Sequence, residues 1–224
     1  MSFEQDVEEA ALRAANACDA VVKKYAESDV VDEPNITGAL LGQLDARLDG
    51  TIGKIEWKSR FVRGGPGKAA EESWVGADIL LNVRLNAYGR YYDKGVLIQS
   101  KRLEENKELS KSEADRLHKQ CRDMINRTYA AYVFVYATTG IRCGGAASFY
   151  DFPDQNIHGS CPWSSYQFFT ELFRCPIGDP LLREANFETI LAPEPQPRHI
   201  LFVEAIGPEP RPAPPSEPVP GMEP

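Results

Sequence analysis

Two short fragments carry the side chains with the most chemical use: Gly76-Ala77-Asp78-Ile79 and Leu97-Ile98-Gln99-Ser100-Lys101. Residues two apart on a strand point the same way, so Gln99 and Lys101 share a face. If the two fragments belong to one hairpin, Asp78 lies beside them. A carboxylate, a neutral amide oxygen and an ammonium then meet at one spot, and phosphodiester hydrolysis calls for that combination. Hard oxygen ligands hold a magnesium ion that polarises the phosphate. The lysine orients or deprotonates water and offsets the charge that develops.

Other groupings offer less. Gly64-Gly65-Pro66-Gly67-Lys68 lacks the spacing of a phosphate loop and reads as a flexible loop that touches nucleic-acid backbone through Arg63 and Lys68. His118, His158 and His199 lie far apart and match no metal-ligand spacing. Ser160 and Ser164 sit in no nucleophile elbow, which disfavours a serine hydrolase. The five cysteines, Cys18, Cys121, Cys143, Cys161 and Cys175, form an odd set without a C-x-x-C pair. They read as structural, neither a disulfide framework nor a zinc site.

The elements that must position these groups follow from periodicity. Val7, Leu12, Ala15, Cys18 and Val22 mark an opening amphipathic helix. A second helix begins at Pro34, carries Ile36, Leu40, Leu41, Leu44 and Leu48 at helical intervals, and ends at Gly50 and Gly53. Alternation from Ile55 to Phe61 marks a half-buried strand. A second strand sets Ile79, Leu81, Val83 and Leu85 on one face, with Asp78 and Asn82 on the other. Tyr88 to Lys94 reads as a turn, broken by Gly89 and Asp93, before a third strand from Gly95 to Leu103. Ser110 and Glu113 form a capping box that opens a crossover helix bearing Leu117, Cys121, Met124 and Ile125 inward. The unbroken apolar run Ala131 to Ala137 then reads as a parallel central strand buried on both faces. An aromatic helix near Trp163–Cys175 and a short strand, Ile200–Ile206, close the ordered part.

Composition sets the outer bounds. The 224 residues are 42% hydrophobic and 26% charged, ordinary for a globular chain. The longest apolar run, Tyr129–Ala137, is far short of the roughly 20 residues of a membrane helix. The acidic first 30 residues show no signal pattern, so the expectation is a cytoplasmic protein without a membrane partner. The net charge of −8 hides an uneven distribution. Residues 51–150 hold 17 Lys/Arg against 11 Asp/Glu, while residues 1–50 and 151–224 each hold 4 against 11. A basic middle admits a polyanionic partner. Eleven of the 17 prolines lie at or after Pro193, and residues 207–224 read as a disordered Pro-rich tail after a single domain over 1–206.

With Asp78 ahead of one strand and Gln99-Ser100-Lys101 on the next, inside the order helix, strand, strand, strand, helix, strand, the chain resembles the PD-(D/E)XK nuclease superfamily. The resemblance covers about residues 30–145. Asp78 matches the family's aspartate and Lys101 its lysine. Gln99 stands where an acid is usual, a departure that recurs in branches resembling methyl-directed restriction enzymes. The resemblance implies an α/β, restriction-endonuclease-like mixed central sheet flanked by helices, here followed by a C-terminal helical-aromatic extension and the tail. It implies Mg²⁺-dependent endonuclease cleavage of nucleic acid, DNA in the first place, in host defence or repair.

In that reading Asp78 and Gln99 hold the magnesium ion, the Ser100 carbonyl adds a ligand, and Lys101 positions the water. The family often adds a glutamate on the preceding helix. Glu33 is the candidate, with Asp32 and Glu72 as rivals, although an acid at that helix end also complements the helix dipole by about 0.3–1 kcal/mol. Lys54, Lys58, Arg60, Arg63, Lys68, Arg102 and Arg122 are the expected phosphate contacts. The oligomeric state stays open. The competing reading is a nuclease-like fold without catalysis that serves as a nucleic-acid-binding or protein-interaction module.

Overall fold

The computed structural model describes residues 2–63, 76–151, 153, 155–183 and 197–209. The chain starts with helix α1, Phe3–Ala26, closed by a capping box in which Ser2 and Gln5 satisfy each other's backbone donors. Helix α2, Glu33–Leu48, is capped by Asp32 and carries Pro34 in its first turn, where a missing N–H costs nothing. The strands are β1 (Gly50–Ile52), β2 (Ile55–Arg63), β3 (Ile79–Ala87), β4 (Arg90–Arg102), β5 (Ala131–Ala137), β6 (Gly140–Gly145), β7 (Trp163–Ser164) and β8 (His199–Ile206). Helix α3, Lys111–Ile125, joins β4 to β5, and α4, Ser165–Arg174, follows β7.

All eight strands form one mixed sheet in the order β1-β2-β8-β3-β4-β5-β6-β7. The pairs β3·β8 and β4·β5 are parallel and the others antiparallel. Helices α1, α2 and α4 cover one face, burying Ile79, Leu81, Val83, Ile98, Phe134 and Trp57. Helix α3 covers the other, over Leu80, Leu97, Val133 and Val135. Every residue of β5 is buried, as expected of a central parallel strand. The Ser110–Glu113 capping box forms as expected. Five free cysteines occur, four of them buried. Among the described residues no helix is long and apolar enough to cross a membrane.

Two expectations shift. Tyr88–Lys94 is no broad turn. Tyr88 (φ 54°) and Gly89 (φ 73°) alone make a tight two-residue connection of the primed kind, and β4 starts at Arg90. Asp93 is a strand residue that accepts two bonds from the Arg84 guanidinium, so its turn-forming residue type is misleading here. The aromatic helix is no extension either: Phe168, Phe169 and Phe173 of α4 belong to the main core, with Trp57 and Phe134. The strand order adds a feature that no local pattern announces. Strands β2 and β3 are not neighbours, because β8 lies between them. Beyond β8, Gly207 N–H donates to Asn86 O and Pro208 O accepts from Tyr88 N–H, while residues 210–224 lie outside the described residues.

Candidate active site

Helix α3 crosses so close to the approach to β3 that the residue beneath it must be glycine. A Cβ on Gly76 would sit 2.2 Å from the Gln120 carbonyl oxygen, and its φ of +74° is left-handed. The turn delivers Asp78 to the sheet, where its N–H donates to Ile98 O at 2.9 Å and so extends the β3·β4 ladder by one residue. The register Ile79↔Ile98 therefore sets Asp78 opposite Gln99.

Asp78, Gln99 and Lys101 share the α3 face of the sheet, the parity of Leu80 and Leu97. Asp78 Oδ2 accepts from Gln99 Nε2 at 2.6 Å and from Ser100 N–H at 2.9 Å. Burial pushes the Asp78 carboxyl up from 3.8 to about 6, and Glu33 adds to the rise. The Ser100 N–H and the Lys101 and Arg198 charges oppose it. Gln99 Nε2 also donates to Ser100 O at 3.0 Å, so one amide nitrogen spans two oxygens. Gln99 Oε1 is buried and has no partner. A buried acceptor left without a partner costs about 1–3 kcal/mol.

Lys101 is buried, with Nζ 3.5 Å from Glu33 Oε1. Glu33 Oε2 accepts from Arg102 N–H at 3.0 Å. Thus the first residue of α2 reaches around the ends of the strands to the lysine. Asp32 is committed elsewhere, since its two oxygens accept from the Asn35 N–H and side-chain amide, both at 2.8 Å. Glu72 lies outside the described residues. On the opposite face, Ser100 Oγ lies 2.9 Å from Tyr136 Oη, which lies 3.2 Å from Thr37 Oγ1. This buried hydroxyl chain fastens α2, and with it Glu33, to the strand that carries Gln99 and Lys101.

The other predicted residues scatter. Lys58 and Arg60 stand exposed on β2 with the parity of the Asp78 face, and the Arg60 guanidinium lies 4.8 Å from the Phe202 ring centroid. Lys54 occupies the β1–β2 turn just before β2, a nine-residue strand, and so sits roughly 30 Å from the Arg63 end. Arg102 donates to Val31 O, and Arg122 of α3 lies 5.6 Å from the Tyr150 ring centroid. Lys68 and the Arg63 side chain lie outside the described residues. The sequence reading misses Arg198, which β8 brings alongside Asp78: His199 N–H donates to Asp78 O at 3.0 Å. Only the strand order could have revealed it.

The donors fit a hard divalent cation in kind. Asp78 and Glu33 offer carboxylates, Ser100 a carbonyl, and Gln99 an amide oxygen without a partner. Among the described residues no group of three or more His, Cys, Asp or Glu side chains stands together as a metal cluster. A cation here would rest on two carboxylates, two neutral oxygens and water, a mixture magnesium accepts. Comparison with known protein families, with curated proteins and with solved structures finds no match.

Proposed function

We propose that this chain is a magnesium-dependent phosphodiesterase of nucleic acid, DNA in the first place, on a restriction-endonuclease-like fold. One observation carries the reading: Asp78, Gln99 and Lys101 come from two strands onto one sheet face, and the Gln99 acceptor is left without a partner. Asp78, Gln99, Glu33 and the Ser100 carbonyl would hold the ion. When bound, magnesium supplies Lewis-acid polarisation of the phosphate. Lys101, with Nζ 3.5 Å from Glu33 Oε1, orients the attacking water and offsets the charge that grows on the phosphate oxygens. Helix α3 and the buried strands beneath it limit water on one side, which strengthens both effects.

The deciding experiment is cleavage of plasmid and linear DNA against magnesium concentration, for the parent, Asp78→Ala and Lys101→Ala. Loss of cleavage in both variants, with melting temperatures within a few degrees of the parent, supports the reading. Full activity in Lys101→Ala would remove it. A second reading has its own observation. The Gln99 amide already satisfies both Asp78 Oδ2 and Ser100 O, so the site can close without a cation. That favours a nucleic-acid-binding or protein-interaction module, and negligible magnesium binding by calorimetry in parent and Asp78→Ala alike would select it.

A further inference from the structure

The strand order puts one more charged group at the site. In the parallel β3·β8 ladder Ile79 pairs with His199, so Arg198 lies alongside Asp78 on the adjacent strand. Arg198 has the parity of Ile200, which belongs to the α3-side core, so its side chain rises on the Asp78 face. Across three adjacent strands the row reads Arg198, Asp78, Gln99, with about 4.8 Å between strands. Lys101 stands one pleat further along β4.

Arg198 is half-buried. Among the described residues no hydrogen bond or ion pair holds its guanidinium. A purely structural counter-charge would close onto the carboxylate. Here Asp78 Oδ2 is taken by Gln99 and Ser100, and among the described residues the guanidinium acts on Asp78 through its charge without a hydrogen bond. Five N–H groups in a planar fork suit two oxygens of a tetrahedral anion better than a single ammonium does.

We propose that Arg198 is the phosphate-binding residue of this site, its guanidinium taking a non-bridging oxygen of the phosphodiester that lies over Asp78 and Gln99. The inference rests on the phosphodiester reading above, and it names a substrate contact that reading lacked. It also gives β8 a purpose beyond sheet closure, since this strand carries the anion receptor into a site otherwise built from residues 33–101.

The test is binding of a fluorescein-labelled DNA oligonucleotide by full-length protein, by anisotropy over a salt series without magnesium, together with cleavage in magnesium. Arg198→Ala should weaken binding at least tenfold and lower the slope of log K against log salt by about one, the signature of one lost phosphate contact. Arg198→Lys should keep the slope and recover part of the affinity. Magnesium affinity should hold or tighten in Arg198→Ala, because a positive neighbour of the ion is gone. A folded Arg198→Ala with the parent's affinity and salt slope overturns the proposal, as does a parent that binds no DNA. The phosphodiester reading fails separately: a parent that binds through Arg198 and never cleaves keeps the receptor and loses the hydrolysis.

Discussion

Gln99 Nε2 stands 2.6 Å from Asp78 Oδ2 and 3.0 Å from Ser100 O. The amide nitrogen therefore fills the space between two oxygens that would share a cation, while its own oxygen is left buried and without a partner. Rotating the amide by half a turn exchanges the two roles. With no ion present that rotation sets three acceptors against one another, and with an ion present it supplies a third ligand.

Replacing Gln99 tests this arrangement directly. Gln99→Glu puts a second carboxylate against Asp78, so without divalent ions it should melt lower than the parent at neutral pH. Added magnesium should raise its melting temperature by more than it raises the parent's. Gln99→Leu removes the acceptor that lacks a partner but also takes a donor from Asp78 Oδ2 and Ser100 O, so it should cost about 1–3 kcal/mol while abolishing cleavage. Equal cleavage by the Leu variant and the parent would show that Gln99 is no ligand.

Asp78 sets a pH dependence. Its carboxyl holds a proton up to about 6 in the folded chain and to 3.8 in the unfolded one. A raised carboxyl contributes stability that is complete below about pH 4 and disappears as pH rises through 6. Asp78→Asn keeps the shape and both incoming hydrogen bonds. It should therefore be more stable than the parent at pH 7, by on the order of 1–3 kcal/mol, and little changed at pH 4. Divalent binding has the opposite slope, since only the ionised form ligates: magnesium affinity should climb between pH 5 and 7 and then level off. A flat affinity over that range would separate Asp78 from the ion.

The hydroxyl chain is a mechanical link. Tyr136→Phe leaves Ser100 Oγ and Thr37 Oγ1 without their shared partner and should cost about 1–3 kcal/mol. Because α2 is then held less firmly, the Arg102 N–H, which donates to Glu33, should exchange with deuterium faster than the neighbouring β4 amides. Thr37→Val should reproduce that local change. Unaltered exchange at Arg102 in both variants would mean that Glu33 is placed by its helix cap alone.

Gly76 admits a sharper prediction. Any side chain there meets the Gln120 carbonyl and must adopt the left-handed φ of +74° that glycine takes freely, so Gly76→Ala should destabilise by more than about 2 kcal/mol. The damage should extend to the site, since the same turn places Asp78. A melting temperature equal to the parent's would show that α3 moves aside.

Local pattern carries much of the site and little of its surroundings. Parity along two strands places Asp78, Gln99 and Lys101 on one face, because the period of a strand is fixed by the backbone. The Ser110 capping box and the buried run of β5 are legible for similar reasons. Strand order is not. His199–Ile206 alternates like any half-buried strand, and nothing within it says that its neighbours are β2 and β3. Arg198 thus goes unnoticed in the sequence. Asp32 and Glu33 are indistinguishable as types, and the cap geometry separates them: one closes the helix, the other reaches the lysine.

The late arrival of β8 governs when the protein can exist. Its contacts join Ile79 to His199 and Arg63 to the same residue, across most of the chain. Before that strand is made, β2 and β3 lack the partner they share, and the backbone donors and acceptors each gives to β8 must wait in water. Long-range closure of this kind slows folding and leaves edges that other chains can join. A truncation before residue 199 would remove the middle of the sheet rather than trim its end, and the nascent protein should depend on chaperones until β8 emerges.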